Sequence, residues 1–239
     1  MKRFTTEMTQ ATAHTDLKYA AFVEHVKEVT LYGTADLDFW TKQLAAEGLR
    51  PSNNHGQAEV LIGATDLKWR GFRFNEFTVS IRTQPDRETT TPPGFYLPQA
   101  FNSSRLFAFS ERALFKTPYA YGAVKVVDRL PVAMKVSFDQ AVAFNARMAA
   151  SIPCLRHEEE WFEGPVYLPS GQRLFYARLG GLTETYPFVP SVDSIEIHLQ
   201  PRFEVFQWLS ASGFTPIEWR IRHAATHAKS KTYTRTSAA

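Results

Sequence analysis

The apolar positions of this chain change their period along its length. Between Ala35 and Glu47 they recur on a helical spacing, with Leu37, Trp40 and Leu44 on one face. Thr34 is positioned to cap that helix, and Asp36 and Asp38 fall in its first turn, where the helix dipole favours anions. Gly48 stops it and Pro51 follows, as expected beyond a helix end. Val29 to Tyr32, just before, reads as a short strand. From Glu59 the period falls to two. Val60, Ile62 and Ala64 alternate with Leu61, Gly63 and Thr65, and Phe77, Val79 and Ile81 alternate with Thr78, Ser80 and Arg82. Further strands are predicted at Tyr121 to Val127, Val132 to Phe138, Arg173 to Leu179 and Ser194 to Leu199. Ala141 to Ala149 has a helical composition but an alternating pattern, so it stays open between the two. A last helix is predicted near Phe203 to Ser210. The loop from Gln84 to Pro93 is charged and Thr-rich and is expected to be exposed. Many strands and few helices predict a mainly β (α+β) domain, barrel or sandwich, with peripheral helices.

At 239 residues with 44% hydrophobic content, the chain is long enough for one large core. We place a single domain at residues 16–225. Residues 1–15 are polar and expected to be disordered. Residues 226–239 carry basic charge without an apolar period and are expected to form a disordered tail. The formal charge is only +3, and it gathers near this end, at Arg220, Arg222, Lys229, Lys231 and Arg235, rather than along a folded stripe. That distribution argues against a nucleic-acid partner. No apolar run is long enough to span a membrane, and the single cysteine, Cys154, excludes an internal disulfide. A cytoplasmic protein acting on a small molecule, with no nucleic-acid or membrane partner, is the expectation.

Three blocks carry a resemblance. The first is Leu31-Tyr32-Gly33-Thr34-Ala35-Asp36-Leu37-Asp38, leading into the helix that ends near Gly48-Leu49-Arg50-Pro51. The second runs from Trp69-Arg70-Gly71-Phe72-Arg73 through Phe74-Asn75-Glu76-Phe77. The third is Gly94-Phe95-Tyr96-Leu97, then Ser110-Glu111-Arg112-Ala113, then Thr117-Pro118-Tyr119. In this order and over roughly residues 25 to 205, they resemble the acetoacetate decarboxylase superfamily. That resemblance implies an antiparallel, cone-like β-barrel with an interior active site, a few peripheral helices, homo-oligomeric assembly, and an active-site glutamate at Glu76. The decarboxylases carry two adjacent lysines in the third block. This chain has Pro118-Tyr119 there. A Schiff-base mechanism needs an amine whose pKa is lowered by a neighbouring cation, and neither residue supplies one.

Glu76 is the leading acid/base candidate. On a strand it shares a face with Phe72 and Phe74, whereas Phe77, Val79 and Ile81 lie on the other phase. A carboxylate at that switch is partly desolvated and its pKa raised. Phe74 would line the same substrate-facing surface. Tyr119, Tyr121 and Lys125 share a face if their segment is extended, and a tyrosine there could donate to a developing enolate. Lys116 is the nearest lysine to the missing pair. Arg73, Arg70 and Arg105 could each hold a carboxylate by a bidentate contact, although a surface pair with Asp66 or Glu111 is the plainer reading. His25 could point at a cavity mouth. His223 and His227 are four apart in the basic tail, with no carboxylate ligand nearby in sequence, and do not make a metal site. No phosphate loop or nucleophile elbow is present. The reading is therefore a cofactor-independent enzyme, of lyase type, acting on a keto or hydroxy compound. Its chemistry would be enolisation, dehydration, an aldol-type step or cyclisation. The alternatives are a Schiff-base decarboxylase using Lys116 or Lys125, and a non-catalytic barrel for an apolar ligand.

Overall fold

A computed structural model describes residues 17–85, 91–149, 153–170 and 172–235. Its first element is a long strand, β1 (Tyr19–Asp36), followed by α1 (Leu37–Ala45). Then come β2 (Asn53–Asn54), β3 (Gln57–Trp69), β4 (Phe72–Thr83) and β5 (Gly94–Asn102). A short α2 (Arg105–Ser110) runs into a π-helical turn, Glu111–Phe115, and then β6 (Tyr119–Tyr121). The chain continues through β7 (Ala123–Val127), β8 (Ala133–Phe138), β9 (Ala141–Arg147), β10 (Arg156–Leu168) and β11 (Arg173–Pro187). It ends with β12 (Ser194–Ile197), α3 (Glu204–Ala211) and β13 (Thr215–Thr234).

Nine strands make one sheet in the order β1-β13-β11-β10-β5-β4-β3-β2, with β6 beside β5. Because β1 also pairs with β3, the sheet closes into a ring. Most pairings are antiparallel, but β10–β5 and β5–β6 are parallel, which the expected all-antiparallel arrangement lacks. A second, four-stranded antiparallel sheet runs β12-β9-β8-β7.

Two adjacent rows of cross-strand partners explain how the ring is built. Ile221, Val29, Ala64, Phe77 and Phe101 are successive partners across β13, β1, β3, β4 and β5, and each is fully buried. They belong to the main core, which also takes Trp40 and Leu44 from α1, Phe206 and Leu209 from α3, and Met134 and Phe144 from the small sheet. The next row, Arg222, Glu28, Thr65, Glu76 and Asn102, is polar. Neighbouring residues of a strand point to opposite faces, so this row lies on the side away from the core. It is not solvated: Glu28, Thr65 and Asn102 are buried. The ring therefore has an apolar face and an enclosed polar one.

Several expectations are corrected. The helix begins later than predicted, at Leu37. Asp36, not Thr34, is its cap and accepts from the Phe39 amide, while Thr34 stays in β1. The ambiguous segment is a strand, β9. The predicted strand from Tyr121 to Val127 is split at Gly122 between two sheets, since an added Cβ there would lie 2.8 Å from the Phe138 ring. The largest correction concerns the C-terminal end. Residues 226–234 are not a disordered tail but the second half of β13, paired with both β1 and β11. Tyr233 is their one large ring; Ala228 and Ser230 are packed tightly, Ser230 accepting from the Tyr176 amide, while His227 and Lys229 find acidic partners. Residues 1–15 lie outside the described residues.

Candidate functional site

Glu76 sits mid-strand in the polar row. One carboxylate oxygen accepts from the Asn102 side-chain amide at 3.0 Å, and the other from the Tyr119 hydroxyl at 3.0 Å. Asn102 is its direct partner on β5, and Tyr119 enters from β6 through the parallel β5–β6 pairing. Burial, with the Glu111 carboxylate adding to it, pushes the Glu76 carboxyl up to about 7, although Lys229, the Tyr119 hydroxyl and His227 pull in the other direction. Burial and the two carboxylates hold the Tyr119 phenol well above its ordinary value, so it stays a hydroxyl donor. On the other side of Glu76, the buried Thr65 hydroxyl has no hydrogen-bond partner among the described residues. A proton-transfer group that is half ionised at neutral pH, flanked by a phenol and a free hydroxyl, is equipped to move a proton at a bound molecule.

Glu111 and Lys229 complete the surroundings. Glu111 opens the π-helical turn, where its carboxylate takes a 2.6 Å hydrogen bond from Thr117 and an ion pair from Lys229. The Lys229 ammonium lies over the rings of Phe115 at 4.5 Å, Phe175 at 4.8 Å and Tyr119 at 5.7 Å. Further along the same face, Glu28 accepts from Arg222 at 2.8 Å and contacts His227 at 2.9 Å, and Arg222 also reaches Glu160 at 3.1 Å. Burial alone would raise the Glu28 carboxyl, but Arg222 and His227 outweigh it and hold it well below the usual carboxylate range. Glu28 and Glu76, which share Thr65 as a strand partner, are thus held as a fixed anion and a titratable acid.

The other residues singled out from sequence are dispersed. Tyr121 is exposed and stacks under Arg105 at 4.4 Å. Lys116 ends the π-helical turn in a left-handed conformation, with φ 56°, and is exposed; Lys125 is exposed on β7 in the other sheet. Arg73 is exposed and engaged by Asp66, with one contact at 2.8 Å. Phe74 packs against Phe107 at 4.2 Å in a small apolar cluster. His25 does not precede the first strand but lies within it, exposed at an irregularity with φ 56°. Sequence reasoning missed Lys229, His227 and Glu28, because the first two fall in the segment assigned to the tail. Their only signal was position: charged residues spaced among alanines, serines and threonines. Among the described residues, no group of side chains could hold a metal ion.

A cleft of about 510 Å³ borders this site rather than containing it: it is lined by Tyr121, Ala120 and three arginines. A shallower depression beside it reaches Tyr119.

No protein-family model and no curated protein matches the sequence. Solved structures do match. One is acetoacetate decarboxylase, with TM-score 0.62, 11% identity and coverage of 96% of each chain. Another is acetoacetate decarboxylase from Legionella pneumophila, with TM-score 0.56, 11% identity and coverage of 93% of this chain and 89% of that one. A third is the enduracididine biosynthesis enzyme MppR in complex with the condensation product of pyruvate and imidazole 4-carboxaldehyde. It has TM-score 0.60 and 11% identity, covering 91% of this chain and 90% of that one. With nearly full-length overlap in all three, the chain has the acetoacetate decarboxylase-like fold.

Proposed function

We propose that this protein is a small-molecule enzyme that carries out acid/base chemistry on a keto or hydroxy compound, with Glu76 as the proton-transfer group. The observation that carries the reading is the Glu76 carboxyl, held near neutral pKa and bonded to Tyr119 and Asn102. Ionised Glu76 would take a proton from the carbon next to a carbonyl. The electron pair left behind would move onto the carbonyl oxygen, which would accept a hydrogen bond from the Tyr119 hydroxyl. Passing the proton from Glu76 to the enolate oxygen would complete an enolisation, and passing it to a β-hydroxyl that leaves as water would complete a dehydration. Lys229, whose ammonium lies 5.7 Å from the Tyr119 ring centroid, would offset negative charge on the substrate.

An iminium mechanism has less support. Lys116 and Lys125 are exposed, and Lys229 faces the Glu111 carboxylate, whereas an amine nucleophile is activated by apolar burial or a second cation. MppR binds a product built from pyruvate, which makes pyruvate a reasonable first probe for this chain. The test is exchange of the pyruvate methyl protons in heavy water, followed by proton NMR. Wild-type protein should catalyse exchange. Glu76→Gln should slow it by about 100-fold or more, and Tyr119→Phe by a smaller factor. Exchange that survives Glu76→Gln would remove Glu76 from the reaction. A borohydride-trapped pyruvate adduct on Lys229, Lys116 or Lys125, located by mass spectrometry, would replace this reading with the amine mechanism.

A further inference from the structure

Three guanidinium groups from separate parts of the chain face one cleft. Arg105 comes from the start of α2, Arg112 from the π-helical turn, and Arg202 from the segment before α3. Among the described residues, none of the three has a carboxylate within ion-pair distance. All three are exposed, in contrast to Arg220 and Arg222 on the polar face of the ring, which carry ion pairs. The far wall is the turn between β8 and β9, where Asp139 and Gln140 adopt left-handed backbone with φ of 47° and 70°. Asp139 is the only acidic residue of the lining, so the cleft keeps a net positive charge. The Arg105 guanidinium lies over the Tyr121 ring, 4.4 Å from its centroid. That contact uses no N–H donor, so the donors remain for a two-point contact with an oxyanion.

We propose that this cleft binds a small molecule carrying a multiply charged oxyanion, either a phosphoryl group or a polycarboxylate. Converging unpaired guanidiniums repel one another, and a ligand with at least two negative charges removes that repulsion while using their donors. A cleft of about 510 Å³ is the size of a small organic ligand rather than of a bare ion. This cleft adjoins the Glu76 site without containing it: it lies at Tyr121, and Arg112, Ala120 and Arg202 also line the depression that reaches Tyr119.

Calorimetric titration of the full-length protein with pyrophosphate and with citrate, at low and at raised ionic strength, tests the proposal. Saturable one-to-one binding of either compound, weakened by salt, is expected. Pyrophosphate preference would assign a phosphoryl ligand, and citrate preference a polycarboxylate. Arg112→Ala and Arg202→Ala should each weaken binding about tenfold, the loss of one charge-assisted contact. Glu76→Gln should bind as the wild type does, which separates this result from the fate of the proposed reaction. Arg70 lies over the Trp69 ring outside the cleft and serves as the surface control. Absence of saturable binding overturns the proposal. So does an Arg202→Ala protein that is folded by circular dichroism and binds unchanged, or an equal loss in Arg70→Ala.

Discussion

Glu28 and Glu76 are chemically alike and share one strand partner, Thr65, yet their environments push them in opposite directions. Charge decides the difference. Glu28 has a guanidinium and an imidazole on its oxygens, whereas Glu76 has only neutral donors and another carboxylate nearby. The consequence for stability can be worked out. Glu76 titrates near 4.5 in the unfolded chain and near 7 in the folded one. Below 4.5 both states hold the proton and the group costs nothing. Between 4.5 and 7 the unfolded chain ionises first, so stability falls as pH rises, and above 7 the full cost is present. At 1.36 kcal/mol per pKa unit, that cost is on the order of 3 kcal/mol. Glu76→Gln removes it. Urea unfolding should therefore show the variant gaining on the wild type by a few kcal/mol between pH 5 and pH 8, and a gap that does not change with pH would mean that Glu76 is not perturbed. The same titration sets the rate profile of the proposed reaction: with Glu76 as base, the rate should rise through about pH 7 and level off above it. Glu28 works with the opposite sign, stabilising at neutral pH and losing that contribution only in strong acid.

At the scale of elements, the sequence was legible wherever one face of a segment meets the apolar core. The alternation of Val60, Ile62 and Ala64 with Leu61, Gly63 and Thr65, and of Phe77, Val79 and Ile81 with Thr78, Ser80 and Arg82, is the β3–β4 pairing itself. The helix at Leu37–Ala45 and that at Glu204–Ala211 were visible for the same reason, since Trp40, Leu44, Phe206 and Leu209 are buried on one side. Glu76 was legible because the apolar phase changes around it. The second half of β13 was not, because a strand hydrogen-bonded on both edges, with alanine and serine on its packed face, carries no apolar signal. The proximity of Lys229 to Glu111 is a long-range fact that no local pattern encodes. Glycine offers a test of how closely such strands approach. Gly180 in β11 lies opposite Trp161 in β10, and a Cβ there would stand 2.3 Å from the Glu160 carbonyl oxygen. Gly213 has φ +63° but nothing within 4 Å of an added Cβ. Gly213→Ala should cost about 1 kcal/mol from backbone strain alone. Gly180→Ala must move backbone and should cost about 3 kcal/mol or more, comparable with overpacking a core. Because Glu160 carries the outer contact to Arg222, its displacement should also loosen the Glu28 cluster. Thermal unfolding of the two variants ranks them, and equal midpoints would contradict the close approach.

For the molecule as a whole, closure of the ring is the feature on which both the core and the polar face depend. Closure gives each strand of the ring a neighbour on two sides, although β10 and β5 meet only at Val166–Phe95 and Tyr167–Tyr96. β13 stands between β1 and β11 along nearly its full length. Ending the chain after Ala225 would strip partners from Ala21, Phe22 and Val23 on β1 and from Arg173 through Gly180 on β11. It would also remove His227 and Lys229, leaving Glu28 short of its imidazole partner and Glu111 short of a cation. Carboxylates that have each lost a partner and two opened strand edges both act in the same direction. The chain cut after Ala225 should therefore be largely unfolded or aggregated, by circular dichroism and size-exclusion chromatography. A milder variant separates the two causes. Lys229→Met keeps the strand and the aliphatic stem but removes the charge, so it should stay folded with a lower midpoint and raise the Glu76 carboxyl further, because a neighbouring cation that favours its ionised form is gone. A truncated protein that folds with the midpoint of the full chain would mean that the ring closes without β13, contrary to the pairing described above.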